Sequence, residues 1–128
     1  MFKKTKQTQL PDINQQEIST LIGDGFVLNG ELTGASVIRI DGKVTGNVKT
    51  GNGIILGEKG IIIGDIETTS AIIYGTVNGK VKVSQLEIKK TGKVNGDIKT
   101  ETLEIELGAQ YNGNLEMKKL IHVEEKTV

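Results

Sequence analysis

Chemistry would have to come from very few side chains in this sequence. His122 is the only histidine and there is no cysteine, so a Ser–His–Asp triad, a Cys–His pair and a thiolate zinc site each lack a required member. Asp41, Asp65 and Asp97 recur at similar places, as paired catalytic acids or a calcium ladder would. Asn47, however, stands where Asp65 and Asp97 stand in their own copies, and the spacing does not follow the calcium-binding nonapeptide. These acids read as the solvated face of a strand. GNGIILGEKG (51–60) has closely spaced glycines but neither the Gly-Lys-Ser/Thr ending nor a following helix, so it is not a phosphate loop, and its glycines are expected at corners. No catalytic residue, metal or cofactor is assigned, and an enzyme is not expected.

What the chain does contain is repetition. GKVTGNVKT (42–50) returns as GKVNGDIKT (92–100), with six of nine positions identical. The pattern Gly-x-Φ-x-Gly-x-Φ, with Φ apolar, occurs at 42, 60, 75 and 92, and weaker copies flank it: GELTGAS at 30 and AQYNGNL at 109. Taking Gly34, Gly46, Gly64, Gly79, Gly96 and Gly113 as the second glycine gives spacings of 12, 18, 15, 17 and 17. Ahead of each copy runs a short alternating segment, read as Phe26/Leu28, Ile38/Ile40, Ile54/Leu56, Ala71/Ile73, Leu86/Ile88 and Leu103/Ile105. Apolar residues every second position, with β-branched types favoured, are strand periodicity; helix would not tolerate this density of glycine.

A unit of about 16 residues is too short for a propeller blade or a helical repeat but suits one coil of a β-solenoid. The expected fold is therefore all-β: a single right-handed β-helix of about six triangular coils over residues 18–117. Right-handedness is preferred because spacings of 15 and 17 break the six-residue rhythm of left-handed hexapeptide helices. The repeat glycines fit either of two roles, a corner or the small residue of a narrow interior.

Composition bounds the partners. Sixteen basic and sixteen acidic residues cancel, so no field draws the chain to nucleic acid. No apolar run approaches the ~20 residues of a membrane span, and the first residues lack the apolar segment of a secretory signal. With no cysteine, a cytoplasmic location is expected. All 17 glycines lie between Gly23 and Gly113, which sets off residues 1–17 as a disordered N-terminal tail and 118–128 as a short C-terminal one.

An open solenoid leaves unpaired backbone groups above an apolar interior at each end, which proteins ordinarily blunt with charge, proline or a cap. The only proline, Pro11, lies outside the repeats. Phe26 in the first coil and Tyr111 in the last stand at inward-type positions that are Val, Ile or Leu elsewhere, either as plugs for their own ends or as contacts to a neighbouring molecule. MFKKTK places an apolar tip, Met1 and Phe2, beside Lys3, Lys4 and Lys6, the composition of an interfacial membrane anchor.

The block from about Ile18 to Met117, including VIRIDGKVTGNV and LEIKKTGKVNGDIKTETLEIELGAQYNGNL, resembles a bactofilin. That resemblance implies a bacterial cytoskeletal scaffold assembling end to end into nonpolar filaments without nucleotide, with an N-terminal membrane-targeting segment. Taken with the open ends and the composition of MFKKTK, it favours Leu21, Phe26, Leu28, Tyr111, Leu115 and Met117 as the polymerisation interface and Met1, Phe2, Lys3, Lys4 and Lys6 as lipid contacts. The implied partners are the chain itself, cytoplasmic membrane lipids and envelope or wall-synthesis proteins, at the inner face of the membrane. Many relatives carry longer, proline-rich tails, whereas KKLIHVEEKTV follows Met117 here. The alternatives are a regulatory β-helix module that dimerises without forming filaments and, further off, a β-helix enzyme.

Overall fold

The computed structural model describes Ile13 and residues 17–118. Residues 18–117 wind through six coils of three short strands, and no α-helix occurs among the described residues. The first coil holds β1 (Ile18–Ile22), β2 (Val27–Asn29) and β3 (Leu32–Gly34); the second β4 (Val37–Ile40), β5 (Lys43–Thr45) and β6 (Val48–Thr50). The third holds β7 (Gly53–Leu56), β8 (Ile61–Ile63) and β9 (Ile66–Glu67); the fourth β10 (Ser70–Ile73), β11 (Thr76–Asn78) and β12 (Val81–Lys82). The fifth holds β13 (Gln85–Ile88), β14 (Lys93–Asn95) and β15 (Ile98–Thr100); the sixth β16 (Thr102–Ile105), β17 (Gln110–Asn112) and β18 (Leu115–Met117).

Each strand pairs in parallel with its counterpart one coil away, giving three six-stranded sheets around one core. We call the sheet containing β1 side A, that of β2 side B and that of β3 side C. Parallel pairing places like above like. On side B the inward column is Leu28, Val44, Ile62, Val77, Val94, Tyr111; on side C it is Leu32, Val48, Ile66, Val81, Ile98, Leu115. From Val44 to Val94, and from Val48 to Ile98, every member is at most 1% exposed, and burying each contributes about 1.5–3 kcal/mol. The coil length varies at the turns, so the irregular spacing in sequence leaves the columns in register.

The second glycine of the repeat is a corner. Gly30, Gly46, Gly64, Gly79, Gly96 and Gly113 all take positive φ, between 137° and 153°, at the turn from side B to side C. Each also leaves room for its neighbour: a Cβ on Gly46, Gly64, Gly79, Gly96 or Gly113 would strike the carbonyl of the glycine one coil earlier. The first glycine, as at Gly42, Gly60, Gly75 and Gly92, is likewise packed against backbone carbonyls of the preceding coil.

This column corrects the reading of the first coil. Gly30, not Gly34, is the counterpart of Gly46, because Gly34 pairs with Thr50. The partners of Ile38 and Ile40 are Thr20 and Ile22, not Phe26 and Leu28. GELTG matches the motif by coincidence of two apolar and glycine positions that lie one side further along the coil. Gly53, expected at a corner, begins β7 and lies within side A.

The buried threonine hydroxyls are satisfied within the stack. The Thr50 and Thr68 hydroxyls meet at 2.9 Å, and the Thr100 hydroxyl donates to the Thr102 carbonyl at 2.8 Å, at the turn from side C to side A. Asp65 and Asp97 act at the glycine corner, from side B to side C, whereas Asp41 lies at the turn from side A to side B. The Lys80 N–H donates to Asp65 Oδ1 at 3.0 Å and the Asp65 N–H to Asn47 Oδ1 at 2.9 Å, so Asn and Asp interchange because both offer an acceptor to the following coil.

Gly79→Ala combines φ strain, about 1–3 kcal/mol, with a collision against the Gly64 carbonyl, whereas Gly30→Ala has the strain but open space around the new Cβ. Urea unfolding of the monomer at fixed protein concentration is expected to rank Gly79→Ala clearly below Gly30→Ala; equal midpoints would refute the close-approach explanation.

Candidate assembly surfaces

Interior coils have a neighbour above and below; the first and sixth have one only. The large apolar side chains that remain exposed follow that difference. Ile18, Leu21, Phe26 and Val27 in the first coil and Ile105, Leu107, Leu115 and Met117 in the sixth are each more than 40% exposed, whereas in the coils between only Ile63, at 39%, comes near that, among the described residues. Each end also presents its unpaired strand edges.

At the first end, Leu28 closes the inner column of side B and is half-buried, while Leu21 lies on the outer side of side A, 61% exposed. Phe26 is not an inward residue. It occupies the position of the first repeat glycine, since Lys43 donates its N–H to the Phe26 carbonyl as Ile61 does to Gly42. At that position a Cβ points toward the preceding coil: on Gly42 it would meet the Phe26 and Gly23 carbonyls. The first coil has no predecessor, so a phenyl ring fits there and projects off the end, 71% exposed. Leu21, Ile22, Gly23, Phe26, Val27 and Leu28 line one shallow apolar hollow.

At the other end, Tyr111 stacks on Val94 and Leu115 on Ile98, each ending an inner column, and Met117 continues beyond Thr100. The Tyr111 hydroxyl is buried with no hydrogen-bond partner; the Ile98 backbone lies near it without completing a bond of ordinary geometry. Burial, and secondarily the Asp97 charge, raises the phenol above its ordinary 10.0. Leu107 was not singled out from sequence, yet it is 93% exposed at the corner where charged or polar residues turn the earlier coils. That corner is held firmly: Lys89 Nζ lies 2.8 Å from Glu87 and 3.7 Å from Glu106, and Glu106 Oε1 accepts the Lys90 N–H at 2.8 Å. The hydrogen bond to Glu87 raises the Lys89 ammonium, outweighing its desolvation.

The two ends are thus separate surfaces, with Leu21, Phe26 and Leu28 on one and Tyr111, Leu115 and Met117 on the other. Met1, Phe2, Lys3, Lys4, Lys6 and His122 lie outside the described residues. Among those described, no group of three His, Cys, Asp or Glu could hold a metal ion, and no helix is long and apolar enough to cross a membrane.

Because the folded chain holds the Tyr111 proton to higher pH than the unfolded chain, this contribution is fully present below pH 10 and is lost as pH rises through the folded-state pKa. Tyr111→Phe is expected to lose less stability than wild type above pH 10 and, by removing an unpaired hydroxyl worth about 1–3 kcal/mol, to be no less stable at neutral pH. Thermal melts of the monomer from pH 7 to 11 check this; an identical alkaline decline would contradict it.

The family model for bactofilins, described as polymer-forming cytoskeletal, matches residues 20–116. Bactofilin BacO of Myxococcus xanthus (strain DK1622) is 34% identical over 72 residues, a match covering 56% of this chain and 57% of that protein, so the chain aligns with little more than half of this relative's length. Among solved structures, the cryo-EM reconstruction of Thermus thermophilus bactofilin double helical filaments superposes with a TM-score of 0.70 at 27% identity, covering 75% of this chain and 98% of that one. The solid-state NMR structure of the cytoskeletal bactofilin BacA gives 0.71 at 30% identity, covering 78% and 96%. Matching family residues that span all but the edges of the solenoid, on a fold shared with filament-forming relatives, place this chain in the bactofilin family.

Proposed function

We propose that this protein is a scaffold subunit that polymerises end to end, without nucleotide, into nonpolar filaments. Residues before the β-helix hold the filaments at the inner face of the cytoplasmic membrane, where they organise cell shape or envelope and wall machinery. The observation that carries the self-assembly reading is the confinement, among the described residues, of exposed large apolar side chains to the two terminal coils, Ile63 apart. A stack held by parallel backbone pairing ends in open edges above an apolar core, and another copy supplies the matching edge. The Thermus relative in double helical filaments supports the same reading.

Membrane attachment rests on Met1, Phe2, Lys3, Lys4 and Lys6. One lysine near an anionic leaflet contributes about 1 kcal/mol and one buried large side chain roughly 1.5–3. A single tail binds weakly, whereas a filament displaying many tails holds through avidity.

Covering one large apolar side chain at a joint is worth about 1.5–3 kcal/mol, and a buried charge reverses that gain, so Tyr111→Arg is expected to raise the assembly concentration by at least about tenfold. Negative-stain microscopy without nucleotide is expected to show micrometre filaments for wild type and none for Tyr111→Arg; intact long filaments in the variant would remove that end from the interface, and uniform wild-type dimers would favour the dimerisation module. For the tail, Phe2→Ala, or Lys3, Lys4 and Lys6 changed to Ser, is expected to abolish co-sedimentation with anionic liposomes. Unchanged binding would refute the anchor.

A further inference from the structure

Side A carries a second apolar cluster on its outer surface, away from the core: Val37, Ile55 and Ile72, at most 4% exposed, with Tyr74 packed beside them. Ile13, from the segment preceding β1, covers this cluster and is itself 3% exposed. The strand beneath has made room. Ile18 pairs with Val37 and Val37 with Gly53, so the outward column that carries a β-branched residue in the first two coils carries glycine in the third. A Cβ on Gly53 would lie 2.8 Å from Ile13 Cγ2 and 3.2 Å from its Cδ1. Neither positive φ nor a neighbouring carbonyl under 3 Å accounts for this glycine, as they do for the corner glycines.

We propose that Ile13 and Gly53 form a peg and notch that fixes where the N-terminal segment leaves the rod: on the flank of the third coil, away from both ends. The role assigned to that segment rests on the lipid-binding reading of residues 1–6; the peg itself does not. Ile13 and Gly53 are positioning residues. Lys6 is seven residues before Ile13, and at 3.3–3.6 Å per residue it stays within roughly 25 Å of the notch. Six coils at about 4.8 Å make a rod roughly 29 Å long. The reach of the tail's tip exceeds the distance to either end, so it is the peg that sets the geometry: every subunit in a filament roots its tail once, at a fixed lateral point, and Ile13 leaves Phe26 at one end and Tyr111 at the other uncovered. Attachment and polymerisation proceed together because they use different surfaces.

The chain has no cysteine, so a pair can be introduced cleanly. With Ile13 Cγ2 2.8 Å from a Cβ at position 53, the two Cβ atoms lie within about 4.3 Å, inside the range of roughly 3.5–4.5 Å that a disulfide needs. The full-length Ile13→Cys/Gly53→Cys chain is expected to form an intramolecular disulfide under mild oxidation, read by non-reducing mass analysis, whereas Ile13→Cys/Lys99→Cys forms none. The oxidised protein is expected to polymerise, and to co-sediment with phosphatidylglycerol vesicles, as wild type does. In a single Ile13→Cys chain, maleimide labelling is expected about tenfold slower than at Lys99→Cys, equivalent to ~1.4 kcal/mol, and Gly53→Val is expected to abolish that protection. Failure to cross-link, labelling as fast as the control, or loss of filaments on oxidation that reductant restores would each overturn the proposal. Failure of wild type itself to bind vesicles overturns the lipid reading and leaves the peg standing.

Discussion

Everything in this molecule depends on six unequal coils lying in parallel register at hydrogen-bonding distance. The corner glycines set the limit of that approach. At Gly46, Gly64, Gly79, Gly96 and Gly113 the space for a Cβ is already filled by the preceding glycine's carbonyl, so the chain turns and stacks at the same point. Once the corners align, Val, Ile and Leu fall above one another on all three sides, the buried threonine hydroxyls pair within the stack, and the exposed Asn/Asp ladder satisfies the turn backbone. The coils themselves range in length because insertions at the other turns leave these columns undisturbed.

A structure governed by neighbour-to-neighbour contacts treats its ends differently from its middle. At the first repeat glycine, Gly42, Gly60, Gly75 and Gly92 have carbonyls of the preceding coil where a Cβ would lie; the first coil has no predecessor and places Phe26 there. In the last coil the same freedom allows a tyrosine where the interior column has valine or isoleucine, and a leucine at a corner that elsewhere turns with charged or polar residues. These departures from the repeat pattern are tolerated by the missing neighbour.

The repeat was legible in the sequence because parallel stacking writes one rule along the chain: apolar residues at alternate positions and glycine at the corner. From it came the six coils, the strand content, the inner columns between Val44 and Ile98 and the identity of the ends. The first coil was misread because GELTG satisfies the motif in the wrong register; only the pairing of Gly34 with Thr50 and the alignment of Gly30 beneath Gly46 reveal the slip. Phe26 was correctly placed at an end but wrongly taken as inward, since parity cannot tell a strand position from a turn. Leu107 was missed because a single apolar residue beside a glycine corner carries no period. Ile13 was missed because one isoleucine in a polar, glutamine-rich segment has no pattern; Gly53, a glycine outside the repeat rule, was the available signal.

That last case separates two kinds of glycine in one chain. A glycine at the corner from side B to side C is explained by the coil before it, and its neighbours in the column are glycines as well. Gly53 has Val37 in the coil before it and Ser70 in the coil after, so the strand geometry at this column accepts side chains on either side. What distinguishes the third coil is the isoleucine resting on it, brought from 40 positions earlier in the sequence. A solenoid can tolerate such an exception on its outer face without cost to the stack, because side chains there leave the inner columns and the corners unchanged. The flank is therefore a surface on which this fold can hold another segment while leaving the strand edges of both terminal coils uncovered.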